Sequence, residues 1–418
     1  MPGYILGRRT APPRSMGFAR STQDASSDLV TYSGDGHVIT FAPTGAGKTV
    51  GPVICNALKH PGQLIAVDVK GEIYAATAEA RRAMGQEIHV LDLRDENPIP
   101  GSLNPLDLAA RCGSDPAAIA RSFAAEIVER GNDIDRFWND WAETCITGAC
   151  AFLLADAERE ERRMSTLFDL FNNDDVAYKL AVMLDAKDKV RNRAARAAFI
   201  SLLNLPEKET RPSVLGTVQS HLRLFDSDLA RRLTDNSSMD VDALIAGAPM
   251  SLYIIVPPVR LLGFRGLLRM WLSGLILAMT HRKTPPKERT LVLCDEIATL
   301  GRMDALLTAA TLLRSWGLTL WTFWQNVDQL RIYGSQANTI LDNAGVIQIF
   351  GARNKRMAKD LSDIVGNLSP DEILGMSPDE QFLLMEGKAL RCKQVRYYSD
   401  KDFSELRKEM STEHSAKG

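Results

Sequence analysis

Short runs of mostly apolar residues recur along the chain, separated by longer segments of mixed character. These runs cover residues 37–41, 64–67, 88–91, 252–256, 291–294, 318–323 and 346–350. Continuous apolar runs of this length are typical of strands that are buried on both faces of a parallel sheet. Helix-compatible segments, such as residues 73–84, follow the early runs. Because strands and helices alternate, the pattern predicts an α/β fold with a doubly wound, mainly parallel sheet.

The pattern changes near residue 105. Between 106 and 245, apolar residues recur at helical spacing, and almost no strand pattern is present. We therefore predict two domains, an α/β domain formed by residues 1–105 and 246–418 and an all-α insertion formed by residues 106–245. The helices predicted in the insertion cover residues 117–129, 138–154, 167–184, 189–203 and 213–225.

Two further elements are expected after the insertion. A long helix is predicted at residues 261–280, directly after the strand at 252–256. Residues 382–385 and 392–398 are predicted to pair as a hairpin at the edge of the sheet.

Composition and charge narrow the classes of function. The chain has 418 residues, with 50 Lys and Arg against 52 Asp and Glu, for a formal net charge of −2. This balance gives no global argument for nucleic-acid binding, so any surface that binds DNA must be local. The cysteines and histidines are scattered, which argues against a metal cluster or a disulfide framework and favours a reducing cytoplasm.

No stretch of the sequence is long and apolar enough to cross a bilayer. The most apolar one, residues 267–279, is too short and contains Arg269. Arginines are present near the N-terminus, but the apolar core of a signal peptide does not follow them. We therefore expect a cytoplasmic chain without a transmembrane segment.

The candidate chemistry centres on the segment APTGAGKT at residues 42–49. It lies between a predicted strand and a helix-compatible segment, which is the arrangement of a phosphate-binding P-loop. Its glycines let backbone N–H groups surround a polyphosphate, Lys48 would reach the β- and γ-phosphates, and Thr49 would ligate Mg2+. Ala42 replaces the usual first glycine, which is tolerable only if its φ is negative. The residues expected to bind the nucleotide are Thr44, Gly45, Ala46, Gly47, Lys48 and Thr49.

A P-loop also needs a carboxylate from another strand. Asp295 and Glu296 follow the apolar run at 291–294, so they are expected at the carboxyl end of that strand, beside the P-loop. Asp295 would hold the Mg2+ shell together with Thr49, and Glu296 would orient or deprotonate the attacking water. Together with the P-loop, this pair predicts hydrolysis of a nucleoside triphosphate.

Two polar residues could complete the catalytic set. Gln325 lies just past the strand at 318–323, where it could sense the γ-phosphate or the lytic water, or simply be an exposed loop glutamine. Arg314 ends the predicted helix between two strands. It could reach the γ-phosphate of a neighbouring subunit as an arginine finger, or it could face water at the helix end.

Several stretches together resemble a known family, and they span nearly the whole chain. They are similar to the cytoplasmic part of type IV secretion coupling proteins, the conjugative DNA transfer (TraG/TraD-like) branch of the FtsK–HerA hexameric motors. Of these stretches, DVKGE and DEIATLG are specific motifs, whereas the aromatic pairs are not. The stretches are GYILG at 3–7, the P-loop with its strand, DVKGE at 68–72, FW at 137–138 with Ala142, DEIATLG at 295–301, RSWG at 314–317, Gln325, and YYSD at 397–400.

The resemblance implies a RecA-like motor with an inserted all-α domain, using ATP and Mg2+. It also implies a ring of six subunits with ATP at their boundaries, DNA as a substrate, and relaxase or effector proteins as further cargo. Channel ATPases and inner-membrane components of the secretion system would be its docking partners. Carried onto this chain, Asp295 and Glu296 are the Walker B pair and Gln325 is the sensor. The roles of Asp68 and Glu72 near the site stay open.

The membrane helices that usually precede this region in the family are not found in the sequence. We expect either a trimmed chain or a naturally soluble relative, held at the inner membrane by a missing N-terminal anchor or by a partner. In isolation, such a motor region is expected to be a monomer or a weak oligomer.

The function predicted from these observations is a DNA-stimulated ATPase that pumps DNA towards a type IV secretion channel. Its DNA contacts would be made to phosphates, because a motor must act on any sequence. A soluble DNA translocase of chromosome processing or defence, and an ATP-dependent receptor for protein cargo, are the alternatives. The candidate DNA contacts are Arg260, Arg265, Arg353, Lys355 and Arg356.

Overall fold

A single mixed sheet forms the centre of the molecule. The computed structural model describes residues 3–9, 28–94, 98–128, 136–366 and 368–403. Within these residues, eleven strands lie in the order β2-β1-β11-β10-β9-β3-β8-β7-β4-β6-β5. The strands are β1 Tyr4–Arg8, β2 Leu29–Tyr32, β3 His37–Phe41, β4 Leu64–Asp68, β5 Glu87–Asp92, β6 Met250–Ile255, β7 Thr290–Cys294, β8 Leu318–Trp324, β9 Ala344–Ile349, β10 Glu380–Met385 and β11 Lys388–Lys393.

The strands from β9 to β5 in that order are all parallel, as the apolar runs predict. The registers Phe41↔Trp324 and Cys294↔Thr322 place the carboxyl ends of β3, β7 and β8 at one edge of the sheet. Phe41 is also paired with Ile349 of β9, whose carboxyl end lies at the same edge. This edge is where the chain leaves β3 as the P-loop.

The hairpin prediction was wrong in two respects. Its second strand is Lys388–Lys393, not residues 392–398. The hairpin is also not at the edge, because β1 pairs with β11 and β2 then extends the sheet. Periodicity failed here because β11 is mostly exposed and polar, whereas the apolar Val395 packs against Ile54 and Leu58, outside the sheet.

Helices alone connect β5 to β6 in the described part of the chain. The predicted helix at 167–184 is in fact two helices, because the Asp175 side chain accepts a hydrogen bond from the Tyr178 N–H and starts a second one. The helices of this region are α3 Pro105–Ala109, α4 Pro116–Ile127, α5 Arg136–Ala155, α6 Met164–Phe171, α7 Val176–Asp185, α8 Arg193–Leu203, α9 Thr210–Leu222, α10 Asp228–Thr234 and α11 Val241–Ala246.

The remaining helices flank the sheet. The helix predicted at 261–280 begins later than expected, since a short helix ends at Leu261 and a separate one starts at Arg265. After the P-loop, a widened helical turn over Thr49–Val53 precedes the first regular helix, because Gly51 is non-helical and Pro52 has no N–H to donate. These helices are α1 Ile54–Lys59, α2 Glu72–Ala83, α12 Pro258–Leu261, α13 Arg265–Met279, α14 Asp304–Leu312, α15 Ala337–Asp342, α16 Lys355–Val365 and α17 Pro370–Leu374.

One continuous apolar core joins a face of the sheet to the inserted helices. It includes Ile39 and Val67 on the sheet, Phe123 on α4 and Trp271 on α13. The Trp271 indole N–H donates to the carbonyl of Leu103, 2.7 Å away, at the entrance to the helical region. The division into two domains remains a prediction, but the helical region is packed against the sheet domain by its apolar core.

The two ends of the described chain are tied together beside the P-loop helix. The Arg8 guanidinium donates to both carboxylate oxygens of Asp400, at 3.0 and 2.7 Å, across 392 positions of sequence. Asn56 of α1 completes the anchorage by exchanging hydrogen bonds of 2.8 Å with the backbone of Ile5. None of the helices in the described ranges is both long and apolar enough to span a bilayer.

Candidate nucleotide-binding site

The P-loop has the backbone conformation that its glycines predict. Gly45 and Gly47 have φ values of 79° and 93°, a region that side chains disfavour. Ala42 is absent from the non-glycine residues with positive φ in the described chain, so its replacement of a glycine costs no strain. Its N–H donates to the Trp324 carbonyl at 2.8 Å. The loop is thus anchored to β8 at its start and free to turn at its two glycines.

Lys48 lies between the two predicted acidic residues. Its Nζ is 2.8 Å from Asp295 Oδ1, and it also donates a hydrogen bond to Glu296. All three side chains are largely shielded from solvent, with Lys48 only 11% exposed. Burial alone would lower the pKa of the Lys48 ammonium, but the carboxylates outweigh burial and raise that pKa. Lys48 therefore stays charged and holds the acids beside the P-loop.

The donor set at Thr49 and Asp295 fits a magnesium ion. The Thr49 hydroxyl donates to Asp295 Oδ2 at 3.2 Å, so a hydroxyl and a carboxylate from two different elements meet. Hydroxyl, carboxylate and water oxygens are the ligands that Mg2+ takes beside substrate phosphates.

Glu296 has an unusual backbone conformation. Its φ of 59° and ψ of 38° lie in the left-handed region, which is uncommon for a residue with a side chain. The turn is held by Thr299, whose hydroxyl donates to the Glu296 carbonyl at 2.7 Å. Such conformations concentrate at functional sites. Here the sharp turn directly after β7 brings the carboxylate to Lys48.

Gln325 contacts the predicted catalytic acid. Its side-chain amide donates to Glu296 Oε2 at 3.0 Å, and its backbone N–H donates to Gln329 Oε1 at 2.7 Å. Thus Lys48, Asp295, Glu296 and Gln325 form one hydrogen-bonded cluster at the ends of three parallel strands. The sensor role requires Gln325 to lie beside the predicted catalytic acid, and the structure places it there.

The sequence predicts Arg314 as a further catalytic residue. It lies in the short helical turn Leu313–Trp316, between α14 and β8. Its side chain is outside the described part of the structure, so its role as a finger in a neighbouring subunit remains a prediction.

Asp68 and Glu72 differ in environment. Asp68 is buried, and its carboxylate accepts hydrogen bonds of 2.8 Å from the backbone N–H groups of Gly71 and Tyr74 at the start of α2. Burial raises the pKa of Asp68, although these backbone donors oppose it. Glu72 is exposed in the first turn of α2. Asp68 therefore shapes the turn that follows β4.

Three residues that the sequence does not connect with the P-loop lie against it. Arg353 donates a hydrogen bond to the Thr44 carbonyl. Gln394 and Arg396 lie near Gly47, with Gln394 Oε1 3.4 Å and Arg396 Nε 3.7 Å from the position that a Cβ on Gly47 would occupy. No motif marks these residues. Only the strand order, which places β9 beside β3, could have indicated that Arg353 lies against the P-loop.

The other candidate DNA contacts lie in helices that follow two strands at the same edge of the sheet. Arg260 and Arg265 follow β6, and the Arg260 guanidinium lies 5.7 Å from the centre of the Phe264 ring. Lys355 is the exposed first residue of α16, after β9. Arg356 forms an ion pair with Asp328. The contact of these residues with DNA stays a prediction.

Comparison with characterised proteins shows similarity along most of the chain. It is 26% identical over 446 aligned residues to "Protein VirD4" of Agrobacterium fabrum, covering 96% of this chain and 62% of that protein. It is 25% identical over 387 aligned residues to "Conjugal transfer protein TraG" of Escherichia coli, covering 87% of this chain and 60% of that protein. The chain thus spans about three fifths of the length of these relatives.

Solved structures show the same fold. The plasmid coupling protein TrwB in complex with the non-hydrolysable ATP analogue ADPNP superimposes with a TM-score of 0.65. The match covers 86% of this chain and 85% of TrwB, at 16% identity. TrwB with ADP and Mg2+ matches with a TM-score of 0.64. The predicted RecA-like α/β class, with a mainly parallel sheet and additional helices, is thereby confirmed.

The family assignment rests on a match to nearly the whole chain. The family described as "Type IV secretory system Conjugative DNA transfer" matches residues 15–369 and 367–417. These ranges include the P-loop, both acidic residues and Gln325. The chain therefore belongs to the type IV secretory system conjugative DNA transfer family.

Proposed function

We propose that this chain is the ATP-hydrolysing motor region of a type IV coupling protein, which recruits DNA and pumps it to the secretion channel. The observation that carries the proposal is the cluster of Lys48, Asp295, Glu296 and Gln325 at a P-loop, in a chain that belongs to this family. TrwB, which shares the fold, binds ADPNP and, in another structure, ADP with Mg2+.

In the proposed reaction, the arriving nucleotide replaces the carboxylates as the partner of Lys48. Phosphate oxygens then accept its hydrogen bonds, and Glu296 is released to act on the attacking water. Thr49 and Asp295 would hold Mg2+, which neutralises charge on the phosphates when bound. Gln325 keeps the Glu296 carboxylate oriented, because its amide already donates to one of the two carboxylate oxygens. Glu296 orients the water or accepts its proton.

DNA would be held through its phosphates by basic residues in the helices that follow β6 and β9. A motor that must move along DNA of any sequence gains little from contacts with the bases. The expected contacts are therefore between basic side chains and phosphates. Arg260, Arg265, Lys355 and Arg356 are the candidates, with Arg353 considered separately below. Such a motor would work as a ring of six, with Arg314 reaching the nucleotide of the next subunit, at inner-membrane components of the secretion system.

The proposal is tested by the steady-state ATPase rate of the purified chain, measured over a range of protein concentrations with and without single- and double-stranded DNA. We expect the rate per subunit to rise with DNA and with protein concentration, since subunits complete each other's sites. DNA affinity should fall steeply with added salt, because cations are released from the phosphates. A rate that is unaffected by DNA and by protein concentration would contradict the motor function.

A receptor for protein cargo is a second candidate, and one observation favours it. A cavity of about 710 Å³ lies on the inserted helices, lined by small residues of α5 and α8 such as Gly148 and Ala198 and by charged residues such as Arg136 and Glu143. Thr144→Arg, on its exposed rim, should weaken capture of a relaxase or effector protein by the full chain without changing DNA stimulation. Equal capture by the variant would remove support for this role.

A further inference from the structure

Arg353 is positioned against the P-loop by the order of the strands. It lies in the loop after β9, which is parallel and adjacent to β3. The Phe350 N–H donates to the Phe41 carbonyl at 2.9 Å, so this loop and the P-loop leave the sheet side by side. Arg353 Nη2 donates to the Thr44 carbonyl and lies 3.9 Å from where a Cβ on Gly45 would be. The guanidinium therefore contacts the part of the P-loop that surrounds phosphate.

In the described part of the chain, the charge of Arg353 is not paired with an acid. Among the described residues, its hydrogen-bond acceptor is a neutral carbonyl, and no carboxylate forms an ion pair with it. Arg356, in the first turn of the following helix, is different, because it pairs with Asp328 and with Asp360 at 3.9 Å. An exposed guanidinium that has only a carbonyl as acceptor gains a stronger, charge-assisted hydrogen bond when a phosphate oxygen becomes available.

The side of the P-loop on which Arg353 lies indicates which phosphate it meets. Gln325 and the acids Asp295 and Glu296 follow β8 and β7, which lie on one side of β3. Arg353 follows β9, on the opposite side of β3. The chemistry of the terminal phosphate is assigned to the acids and Lys48, so a cation that follows the strand on the opposite side of β3 suits the phosphates that are not cleaved.

We propose that Arg353 is a phosphate-binding residue of this chain's own nucleotide site, which contacts the α- or β-phosphate that ATP and ADP share. The inference rests on the proposed ATPase function and deepens it. It also gives Arg353 a role different from the DNA contact that the sequence predicted. The site would then hold its nucleotide by a cation from each side of the P-loop, Lys48 from one and Arg353 from the other.

The test compares Arg353→Met with Arg331→Met, a matched loss of an exposed arginine that pairs with Asp328. Dissociation constants for ATP and for ADP are measured with magnesium present, and kcat and KM are measured separately. Loss of a charge-assisted hydrogen bond to phosphate should weaken both nucleotides by roughly 10- to 100-fold in Arg353→Met. KM should rise by a similar factor, with a smaller change in kcat, because binding common to substrate and product is lost. Arg353→Lys should recover part of the affinity.

Several results would overturn the assignment. Unchanged affinity in Arg353→Met, as in Arg331→Met, would remove Arg353 from the site. Weakening of ATP alone would move its contact to the terminal phosphate. A lower unfolding temperature of the nucleotide-free variant, together with a fall mainly in kcat, would mean that Arg353 only supports the loop. In contrast, failure of the unmodified chain to hydrolyse ATP, with its nucleotide affinity lowered by Arg353→Met as expected, would contradict the proposed function and leave the assignment standing.

Discussion

The two sides of the P-loop differ in charge and in how that charge is balanced. On the side of β7 and β8, Asp295 and Glu296 share the single ammonium of Lys48, so negative charge is in excess. On the other side, Arg353 and Arg396 contact or approach the loop, and in the described residues neither has a carboxylate partner. The excess of carboxylate suits a metal ion and a polarised water, whereas the unpaired guanidinium groups suit phosphates that are held throughout the reaction.

In the described part of the chain, no cation other than Lys48 pairs with the acids on the side of the cleaved bond. The largest effect is therefore expected from the arginine that would come from a neighbouring subunit. Arg314→Ala should lower kcat by roughly 10³- to 10⁵-fold, as loss of an arginine finger does. The measurement is phosphate release at saturating ATP and DNA, with Arg331→Ala, an exposed arginine, as the control.

A mixing experiment sharpens the Arg314 prediction. Arg314→Ala subunits keep an intact P-loop, and Lys48→Ala subunits keep the arginine. Mixed rings should therefore regain part of the activity that each variant lacks alone. If the mixture is as inactive as the two separate variants, Arg314 does not act across a subunit boundary.

Lys48 is the cation that pairs with Asp295 and Glu296, so its replacement disturbs the charge balance of the acidic side most directly. Lys48→Met should raise the dissociation constant for ATP by about 100-fold or more, because one ammonium contacts both phosphates and its charge-assisted bonds are among the strongest in the site. It should also lower the unfolding temperature of the nucleotide-free protein, since Asp295 and Glu296 are left facing each other without a cation. Lys59→Met, an exposed lysine of α1, is the control, and an equal effect of both changes would argue against the contacts described for Lys48.

The smallest effect is expected at Asp68, which lies on neither side and only shapes the turn after β4. Asp68→Asn should cost about 1–2 kcal/mol of unfolding free energy, because one of two backbone N–H groups loses its acceptor. Its effect on kcat should be small. The measurement is urea unfolding of both proteins at several pH values.

The pH dependence of that difference has a definite sign. Burial raises the pKa of Asp68 in the folded protein above its ordinary value of 3.8. A raised pKa contributes stability that is present below the unfolded pKa and is lost as pH rises through the folded pKa. The stability advantage of the unmodified protein over the Asp68→Asn variant should therefore shrink as the pH is raised from about 4 towards neutrality. An advantage that grows with pH would contradict the burial described here.

The acidic side of the site was largely predictable from the sequence, and the physical reason is simple. Asp295 and Gln325 each come directly after an apolar strand, and the carboxyl ends of parallel strands meet at one edge. The P-loop could be placed there for the same reason. The contact of Gln325 with Glu296 was not predictable, because it depends on the left-handed turn at Glu296.

The other side could not be predicted because its residues come from elements whose neighbours are set by the whole sheet. Arg353 reaches Thr44 only because β9 is next to β3, and Gln394 approaches Gly47 only because the chain after β11 turns back over α1. The same reason explains the misplaced hairpin, since the polar strand β11 is held by β1 and β10 and not by its own apolar residues. Local periodicity carries no information about such long-range pairing.

The central claim is that Glu296 activates the water while Lys48 and the P-loop bind the nucleotide. It is tested most directly by measuring ATP affinity and phosphate release together for the unmodified chain and for Glu296→Gln. We expect Glu296→Gln to bind ATP at least as tightly, because one competitor for Lys48 has lost its charge, and its phosphate release to fall by roughly 10²- to 10⁴-fold. Normal phosphate release by Glu296→Gln would contradict the assignment of the catalytic acid. It would also contradict the different roles proposed for the two sides of the P-loop.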